Sequence, residues 1–300
     1  MRGAAKRERK PSRPLDPRPG GRGARAFVRM LAAVVGALVL VFAQPDGKLA
    51  RTPNGSDVPS ATEEANPVQA GPRPVPVPMS ANYRIPILMY HDIGSPGAAL
   101  VVTPETFEEE MKTLSSAGYE AVTMDDLLLG LHGEKVWLPE KGVAITFDDG
   151  YQGVYRWAYP VLRRLGFRAT VFVVTGLVGK DGYLTWDQVR ELAREGWAVG
   201  SHAVHHVDLT ALGESQLRAE LSMSKKAILD SAGCEALSFC YPSGKYDSAV
   251  MKAVEEAGYL GAVTTGPGWV KGSDAPFTLK RVRIDGRDGL AAFKGKLSIP

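Results

Sequence analysis

The chain has 300 residues, 44% of them hydrophobic and 23% charged, which is the composition of a globular protein with one large or two small domains. Its net charge of +3 averages two unlike parts. Residues 1–29 hold ten lysines and arginines against two acids and carry +8, which leaves 3 − 8 = −5 for residues 30–300. An acidic remainder argues against nucleic-acid binding, so no nucleic-acid partner is predicted.

The first 43 residues have the pattern of an export signal. Residues 1–29 form a basic leader, and the uncharged stretch MLAAVVGALVLVFA follows at 30–43. A basic region before a short apolar run is typical of a signal peptide or of an uncleaved membrane anchor. Since positive charge stays in the cytoplasm, both alternatives place the rest of the chain outside it, either secreted or anchored to the outer face of the cytoplasmic membrane.

A proline-rich linker is predicted over residues 44–83. It holds eight prolines, several of them alternating as in GPRPVPVPMS, and this favours an extended spacer over a packed fold. From Arg84 onwards, short apolar runs alternate with helical patterns. Residues 84–300 are therefore expected to form the folded domain.

Strands and helices alternate through this domain. Strands are predicted for the apolar runs at 85–91, 120–123, 143–147, 169–174, 197–201, 237–241, 260–265 and 279–284. Three helical patterns have clear ends, with N-cap and terminating glycine at Thr103 and Gly118, Thr185 and Gly196, and Asp247 and Gly258. About seven repeats of strand and helix predict an α/β fold, a closed (β/α)7–8 barrel, with an open doubly wound sheet as the alternative.

Titratable residues are concentrated where the predicted strands end. Four of the five histidines lie at such ends. The strand-end groups are His91-Asp92, Asp148-Asp149, His202 with His205 and His206, and Pro242-Ser243-Gly244. Because a barrel carries its chemistry at the C-terminal ends of its strands, these groups are expected to share one site.

The stretch SHAVHHVDL places His202 and His206 four residues apart, so both imidazoles can point to one side. Two neutral imidazoles and one carboxylate form a common catalytic metal site with an open position for water. One member of the Asp148-Asp149 pair would bind the cation and the other would stay free as a general base. His205 is the weaker alternative to His206, because its spacing is shorter and adjacent rings crowd each other.

TFDDG, followed some fifty residues later by SHxxxH and DL, resembles the polysaccharide deacetylases of carbohydrate esterase family 4, the NodB-like domain. The resemblance covers roughly residues 84–284. It implies a distorted barrel and a metal-dependent hydrolase that removes N-acetyl groups from polysaccharide. By motif position it implies Asp148 as base and Asp149, His202 and His206 as metal ligands. Zinc is the expected metal, with cobalt, nickel or manganese as alternatives.

The third motif of the family, usually Arg-x-Pro-Tyr-Gly, reads CYPSG here. Ser243 stands at the tyrosine position, where the family uses a backbone N–H as an oxyanion donor, and a backbone group survives a change of side chain. Cys240 stands at the arginine position, so the base lacks its usual partner. Arg281, on the last strand, is the expected substitute.

The family's general acid is a histidine on a final strand, but no histidine follows His206 in this chain. The stretch LMYHD, on the first strand, contains the Leu-x-x-His pattern that the family has on its final strand. The first and last strands of a closed barrel are neighbours. His91 is therefore the expected acid. In this order the chain resembles the circularly permuted poly-N-acetylglucosamine deacetylases of biofilm formation.

Tyr246 and Trp269 are candidates for stacking on a sugar ring. The predicted partner is an N-acetylated cell-surface polysaccharide, with the membrane as a second partner if the N-terminal segment is uncleaved, and a monomer is predicted. Two other functions stay open: an O-acetyl esterase acting on xylan, which would have the same site, and a non-catalytic surface protein that binds glycan.

Overall fold

The computed structural model describes residues 77–299. The predicted leader at 1–29, the apolar segment at 30–43 and most of the predicted linker lie outside the described residues. Seven parallel strands form a barrel: β1 (Ile87–Tyr90), β2 (Gly142–Phe147), β3 (Thr170–Val173), β4 (Ala198–Ser201), β5 (Ser238–Cys240), β6 (Gly261–Pro267) and β7 (Leu279–Arg283).

The barrel closes between its last and first strands. Strands β1 to β7 pair in chain order, and the ring closes where Val282 of β7 pairs with Leu88 of β1. The predicted closed barrel is thereby confirmed over the open sheet. The eighth predicted strand, Glu120–Val122, lies outside the ring: it pairs with the first half of β2, whereas β3 pairs with the second half of the same strand.

Helices cover the outside of the barrel. They are α1 (Pro104–Ser116), α2 (Met124–Leu131), α3 (Tyr159–Arg164), α4 (Trp186–Arg194), α5 (Glu214–Ala232), α6 (Ser248–Glu256) and α7 (Leu290–Leu297), with a π-helical stretch at Val154–Ala158. The three predicted N-caps are confirmed, because the side chains of Thr103, Thr185 and Asp247 each accept a hydrogen bond from a backbone N–H of the first turn.

Three short strand pairs lie at the edges of the barrel: Val77–Pro78 with Lys135–Val136, Arg84–Ile85 with Val270–Lys271, and Asp92–Ile93 with Val101–Val102. The first pair shows that the packed part of the chain begins before Arg84, where the sequence placed only linker. A two-residue edge strand is compatible with proline, because such a strand needs few backbone donors.

The core lies in the barrel and between the barrel and its helices. On α1 the side chains of Phe107, Met111 and Leu114 are fully buried, as the helical spacing predicts. Phe107 packs with Phe147 at the end of β2, and the two ring centroids are 5.8 Å apart. Burying one such side chain contributes about 1.5–3 kcal/mol, so this layer fixes the position of the strand ends. Among residues 77–299, no helix is both long and apolar enough to cross a membrane.

Candidate active site

The C-terminal ends of the strands surround a cavity of about 350 Å³. Its lining includes all seven residues that the sequence assigned to catalysis and metal binding: His91, Asp148, Asp149, His202, His206, Ser243 and Arg281. They come from the ends of five strands that are up to 190 residues apart in the chain (His91 to Arg281). The closed barrel therefore brings the predicted set together in one place.

The Asp-Asp-Gly segment makes a tight turn at the end of β2. Asp149 has φ 69° and Gly150 has φ 77°, so both residues adopt the left-handed conformation. A side chain at Gly150 would also lie 3.2 Å from a Val173 methyl group, which favours glycine there. A left-handed aspartate costs about 1–2 kcal/mol. The turn directs the two carboxylates to different partners inside the cavity.

Asp149, His202 and His206 present three ligand atoms to one point. The Asp149 Oδ1 atom lies 3.5 Å from the Nε2 atom of His202 and 3.5 Å from the Nε2 atom of His206. Ligand atoms around a tetrahedral zinc ion are about 3.3 Å apart, given bonds of about 2.0–2.1 Å. The spacing and the donor types fit a divalent cation.

His202 is prepared as a ligand by its surroundings. Its Nδ1 atom lies 2.7 Å from the carbonyl oxygen of Cys240, which fixes the ring and leaves Nε2 facing Asp149. Burial lowers the pKa of His202 although Asp148 and Asp149 act to raise it. A neutral imidazole that donates from Nδ1 has its lone pair on Nε2, as a metal ligand requires.

A second group of three ligand-type side chains within residues 77–299 consists of Asp148, His202 and Cys240. Burial raises the pKa of the Cys240 thiol well above its usual value. A thiol that stays protonated is a poor metal ligand, since metals bind the thiolate. Both oxygens of Asp148 also have other partners. The group of Asp149, His202 and His206 is therefore the better cation site.

Asp148 and Arg281 form a buried, two-pronged ion pair. The Nη1 and Nη2 atoms of Arg281 donate to the two oxygens of Asp148 at 2.7 and 2.8 Å, and the side chain of Arg281 also donates to the Thr264 carbonyl at 2.9 Å. Burial alone would raise the pKa of Asp148, but the charge and hydrogen bonds of Arg281 outweigh it and hold the pKa well below its usual range. Asp148 is thus kept ionised beside the cation site.

His91 lies near Asp148 in the same cavity. Its Nε2 atom is 3.9 Å from Asp148 Oδ2, and its side chain is 14% exposed. The buried Nδ1 atom has no hydrogen-bond partner within residues 77–299. His91 is not one of the groups that converge on the cation site, although it lines the same cavity.

The sequence and the fold are similar to those of known proteins. Residues 135–262 match the family model described as polysaccharide deacetylase. YxkH of Bacillus subtilis (strain 168), a protein that carries the name polysaccharide deacetylase, is 38% identical over 201 residues, which are 67% of this chain and 71% of YxkH. The chain belongs to the polysaccharide deacetylase family. The resemblance inferred from the sequence is confirmed, and with it the class of enzyme, a hydrolase.

Two further proteins are similar to this chain. The solved deacetylase PplD of Streptococcus pyogenes, in complex with acetate, is 27% identical, has a TM-score of 0.67, and aligns with 72% of this chain and 98% of PplD. The poly-β-1,6-N-acetyl-D-glucosamine N-deacetylase of Staphylococcus aureus (strain MSSA476) is 25% identical over 171 residues. That match covers 52% of this chain and 58% of the length of the staphylococcal protein.

The two aromatic residues predicted to bind sugar are placed differently in this deacetylase. Tyr246 is 38% exposed and stacks on Tyr241, with ring centroids 4.7 Å apart, and Tyr241 lines the cavity. Trp269 is not among the described residues that line the cavity. Its ring nitrogen donates to the carbonyl of Lys296 at 3.5 Å, and the guanidinium of Arg84 lies 5.7 Å from the ring. The structure therefore gives no support to Trp269 as a sugar-binding residue.

Sequence reasoning missed three polar residues that also line the cavity, Tyr241, Thr265 and Arg283. Tyr241 could have been found, since it directly precedes the Pro-Ser-Gly stretch at the end of β5. Thr265 lies against the turn at Gly244: a side chain on that glycine, which has φ 69°, would collide with the Thr265 hydroxyl. Such a contact depends on the packing of β5 and β6 and leaves no mark in the sequence.

Changing Arg281 to Met is expected to move the acid limb of the kcat/KM profile to higher pH. Burial would then raise the pKa of Asp148 against only the smaller lowering effects of His202 and His91, and this carboxylate would be protonated over a wider pH range. Breaking a buried ion pair on one side also destabilises a protein by about 3–5 kcal/mol. The measurements are a pH–rate profile and urea unfolding.

The double variant Arg281→Met with Asp148→Asn is the matched control. It removes the unpaired charge and should recover much of the lost stability without recovering activity. In the wild type, the pair contributes stability above the unfolded carboxyl pKa of about 3.9, and that contribution is lost as the pH falls through the lower folded pKa. An acid limb that stays in place in Arg281→Met would show that Arg281 does not control the base.

Proposed function

We propose that the protein removes N-acetyl groups from an N-acetylglucosamine-containing polysaccharide of the cell surface and releases acetate. The observation that carries this proposal is the arrangement in one cavity of a three-ligand cation site, an ionised carboxylate and a free imidazole. These groups are suited to amide hydrolysis: a Lewis acid polarises the carbonyl group, a base takes a proton from water, and an acid protonates the departing amine.

Asp149, His202 and His206 would hold the cation. Their one oxygen and two nitrogen donors suit zinc, and cobalt, nickel or manganese would accept the same set. When bound, a divalent cation supplies Lewis acidity for the acetyl carbonyl and lowers the pKa of water.

Asp148 acts as the general base. It accepts a proton from the attacking water, and Arg281 holds the carboxylate in one orientation through two parallel hydrogen bonds. The backbone N–H of Ser243, at φ 55° beside the cavity, would donate to the developing oxyanion.

His91 acts as the general acid. An amide nitrogen leaves only when it is protonated, and a histidine can donate a proton near neutral pH. Its position directly after β1, which the closed barrel sets beside β7, supports the permuted order inferred from the sequence. Tyr246, through its stack on Tyr241, would extend the contact surface for sugar rings next to the cavity.

The substrate is proposed from the chemistry of the site and from the staphylococcal relative, which is named for poly-β-1,6-N-acetylglucosamine. The test is acetate release, followed by mass spectrometry, on β-1,6- and β-1,4-linked N-acetylglucosamine oligomers, peptidoglycan fragments and acetylated xylan. Preferred turnover of the N-acetyl oligomers supports the proposal. Preferred turnover of xylan would make the protein an O-acetyl esterase, and binding without turnover would make it a glycan-binding protein.

We also propose that residues 1–43 direct export, so that the deacetylase domain acts outside the cytoplasm, where its polymer lies. The basic leader and the apolar run that follows it support this assignment. Fractionation of host cells should find the full chain in the medium or with the membrane, accessible to added protease. A chain found wholly in the cytoplasmic fraction would contradict export.

A further inference from the structure

The loop that carries two of the proposed metal ligands has a costly backbone conformation. Ala203 has φ 64° and His206 has φ 54°, so both occupy the left-handed region without being glycine. Each such residue costs about 1–2 kcal/mol. The loop over residues 202–206 therefore depends on contacts from neighbouring elements to keep its shape.

Helix α5 supplies such contacts through one carboxylate. Glu220 Oε2 accepts the backbone N–H of Val204 at 2.9 Å and that of His205 at 3.0 Å, while Oε1 lies 2.6 Å from His205 Nδ1. The Glu220 side chain is only 12% exposed, so water competes weakly for these bonds. Hydrogen bonds to a charged acceptor contribute about 1.5–3 kcal/mol each, enough to offset the two left-handed residues.

The carbonyl side of the same loop is bound by other groups. The backbone N–H groups of Thr175 and Gly176, after β3, donate to the carbonyls of Ala203 and Val204 at 3.1 and 2.9 Å. The hydroxyl of Ser224, one turn beyond Glu220 on α5, donates to the Ala203 carbonyl at 3.2 Å. The N–H groups in the middle of the loop are left to Glu220.

The two histidine ligands differ in what orients them. The ring of His202 is fixed by the Cys240 carbonyl, as ligating histidines usually are by a second hydrogen bond. The Nδ1 atom of His206 has no hydrogen-bond partner within residues 77–299, and its side chain is 34% exposed. The His206 ring packs edge-on against the His202 ring, with centroids 4.6 Å apart, and the backbone of the loop sets where the ring begins.

We propose that Glu220 is a positioning residue for His206. By binding the N–H groups of Val204 and His205, it holds the loop so that His206 Nε2 faces the cation site. This inference rests on the proposed function, because it takes Asp149, His202 and His206 as the metal ligands. It also gives the neighbouring histidines opposite tasks: His205 turns outward to Glu220, and His206 turns into the cavity.

The test measures the Co²⁺ affinity of the full chain, by competition with a chelator, and the visible absorption of the Co²⁺ form. Glu220→Ala removes all three hydrogen bonds and is expected to weaken affinity by about 10- to 100-fold and to change the absorption bands. Glu220→Gln keeps one oxygen for the two N–H groups and should retain most of the affinity. Glu214→Ala, on the same helix at an 80% exposed side chain, is the matched control and should leave both readouts unchanged.

Wild-type affinity and absorption in Glu220→Ala would overturn the role of Glu220, even if that variant were less stable. Should Glu220→Ala fail to fold, the same two measurements are made on Glu220→Asp. This variant keeps the charge but moves the carboxylate away from the loop, so wild-type Co²⁺ affinity and absorption in it would likewise overturn the role of Glu220. A wild-type chain that binds no Co²⁺ would instead overturn the metal site of the proposed function. The two failures are therefore distinguishable.

Discussion

His202→Ala is expected to abolish both metal binding and deacetylase activity while the barrel stays folded. His202 is 2% exposed and is the most buried of the three proposed ligands, and its removal leaves only Asp149 and His206 of that group. A catalytic cation contributes several kcal/mol to transition-state stabilisation, which corresponds to a loss of about 10³-fold or more. Metal content of the purified full chain and acetate release are the measurements.

Two companion variants separate the loss of the metal from a loss of structure. His206→Ala removes a ligand that is 34% exposed, and it should lose metal at a smaller cost in stability. His132→Gln is the control, because His132 lies away from the cavity and bonds the Leu260 carbonyl at 2.7 Å, which glutamine can also do. Stoichiometric metal in His202→Ala would show that the ligand set is wrong.

Much of the barrel could be predicted because its signals are local. Alternation of apolar runs with capped helical patterns, such as the one from Thr103 to Gly118, identifies strands and helices within a few residues. Titratable side chains at strand ends then mark one edge of the sheet, and closure of the ring brings them together. The position of Asp148 and Asp149 at the end of β2 was enough to predict that both line the cavity.

The parts that sequence reasoning missed depend on packing between distant segments. Trp269 is a sugar-stacking candidate from its residue type alone; the next two residues, Val270–Lys271, pair with Arg84–Ile85, and Trp269 is not among the described residues that line the cavity. Glu220 is one acid among several on α5, and its role follows only from the way that helix lies against the loop after β4. Neither feature has a periodicity or a spacing that could reveal it.

Arg281 shows the opposite case: the closed barrel supplies, from another strand, the arginine that the motif at Cys240 lacks. Cys240 occupies the place where the family has an arginine, and the guanidinium that pairs with Asp148 comes from β7 instead. Strands β7 and β2 both neighbour β1, so a side chain of one can reach the end of the other inside the barrel. The Arg281 Nη2 atom also lies 3.4 Å from the Cys240 sulfur, so the thiol fills the space beside the ion pair.

His91→Asn is expected to keep metal affinity but to lower kcat for N-acetyl substrates by about 10²-fold or more, the range typical of a lost general acid. His91 is the one imidazole in the cavity that does not converge on the cation site, and its Nε2 atom stands 3.9 Å from Asp148, the proposed base. Asparagine preserves polarity at this 14% exposed position but cannot donate a proton to the leaving amine. The measurements are kcat with a defined oligomer and metal content of the same preparation.

The size of the defect should depend on the leaving group. An alkoxide departs more readily than an amide nitrogen, so His91→Asn should slow hydrolysis of an O-acetyl ester less than hydrolysis of the N-acetyl oligomer. Equal defects on both substrates would point to a role for His91 in binding rather than in proton transfer. Loss of metal would make His91 a ligand, and unchanged amide turnover would remove it from the mechanism. A large and selective loss on the amide is the result that only a proton donor at His91 explains, since neither a binding residue nor a metal ligand distinguishes the two leaving groups.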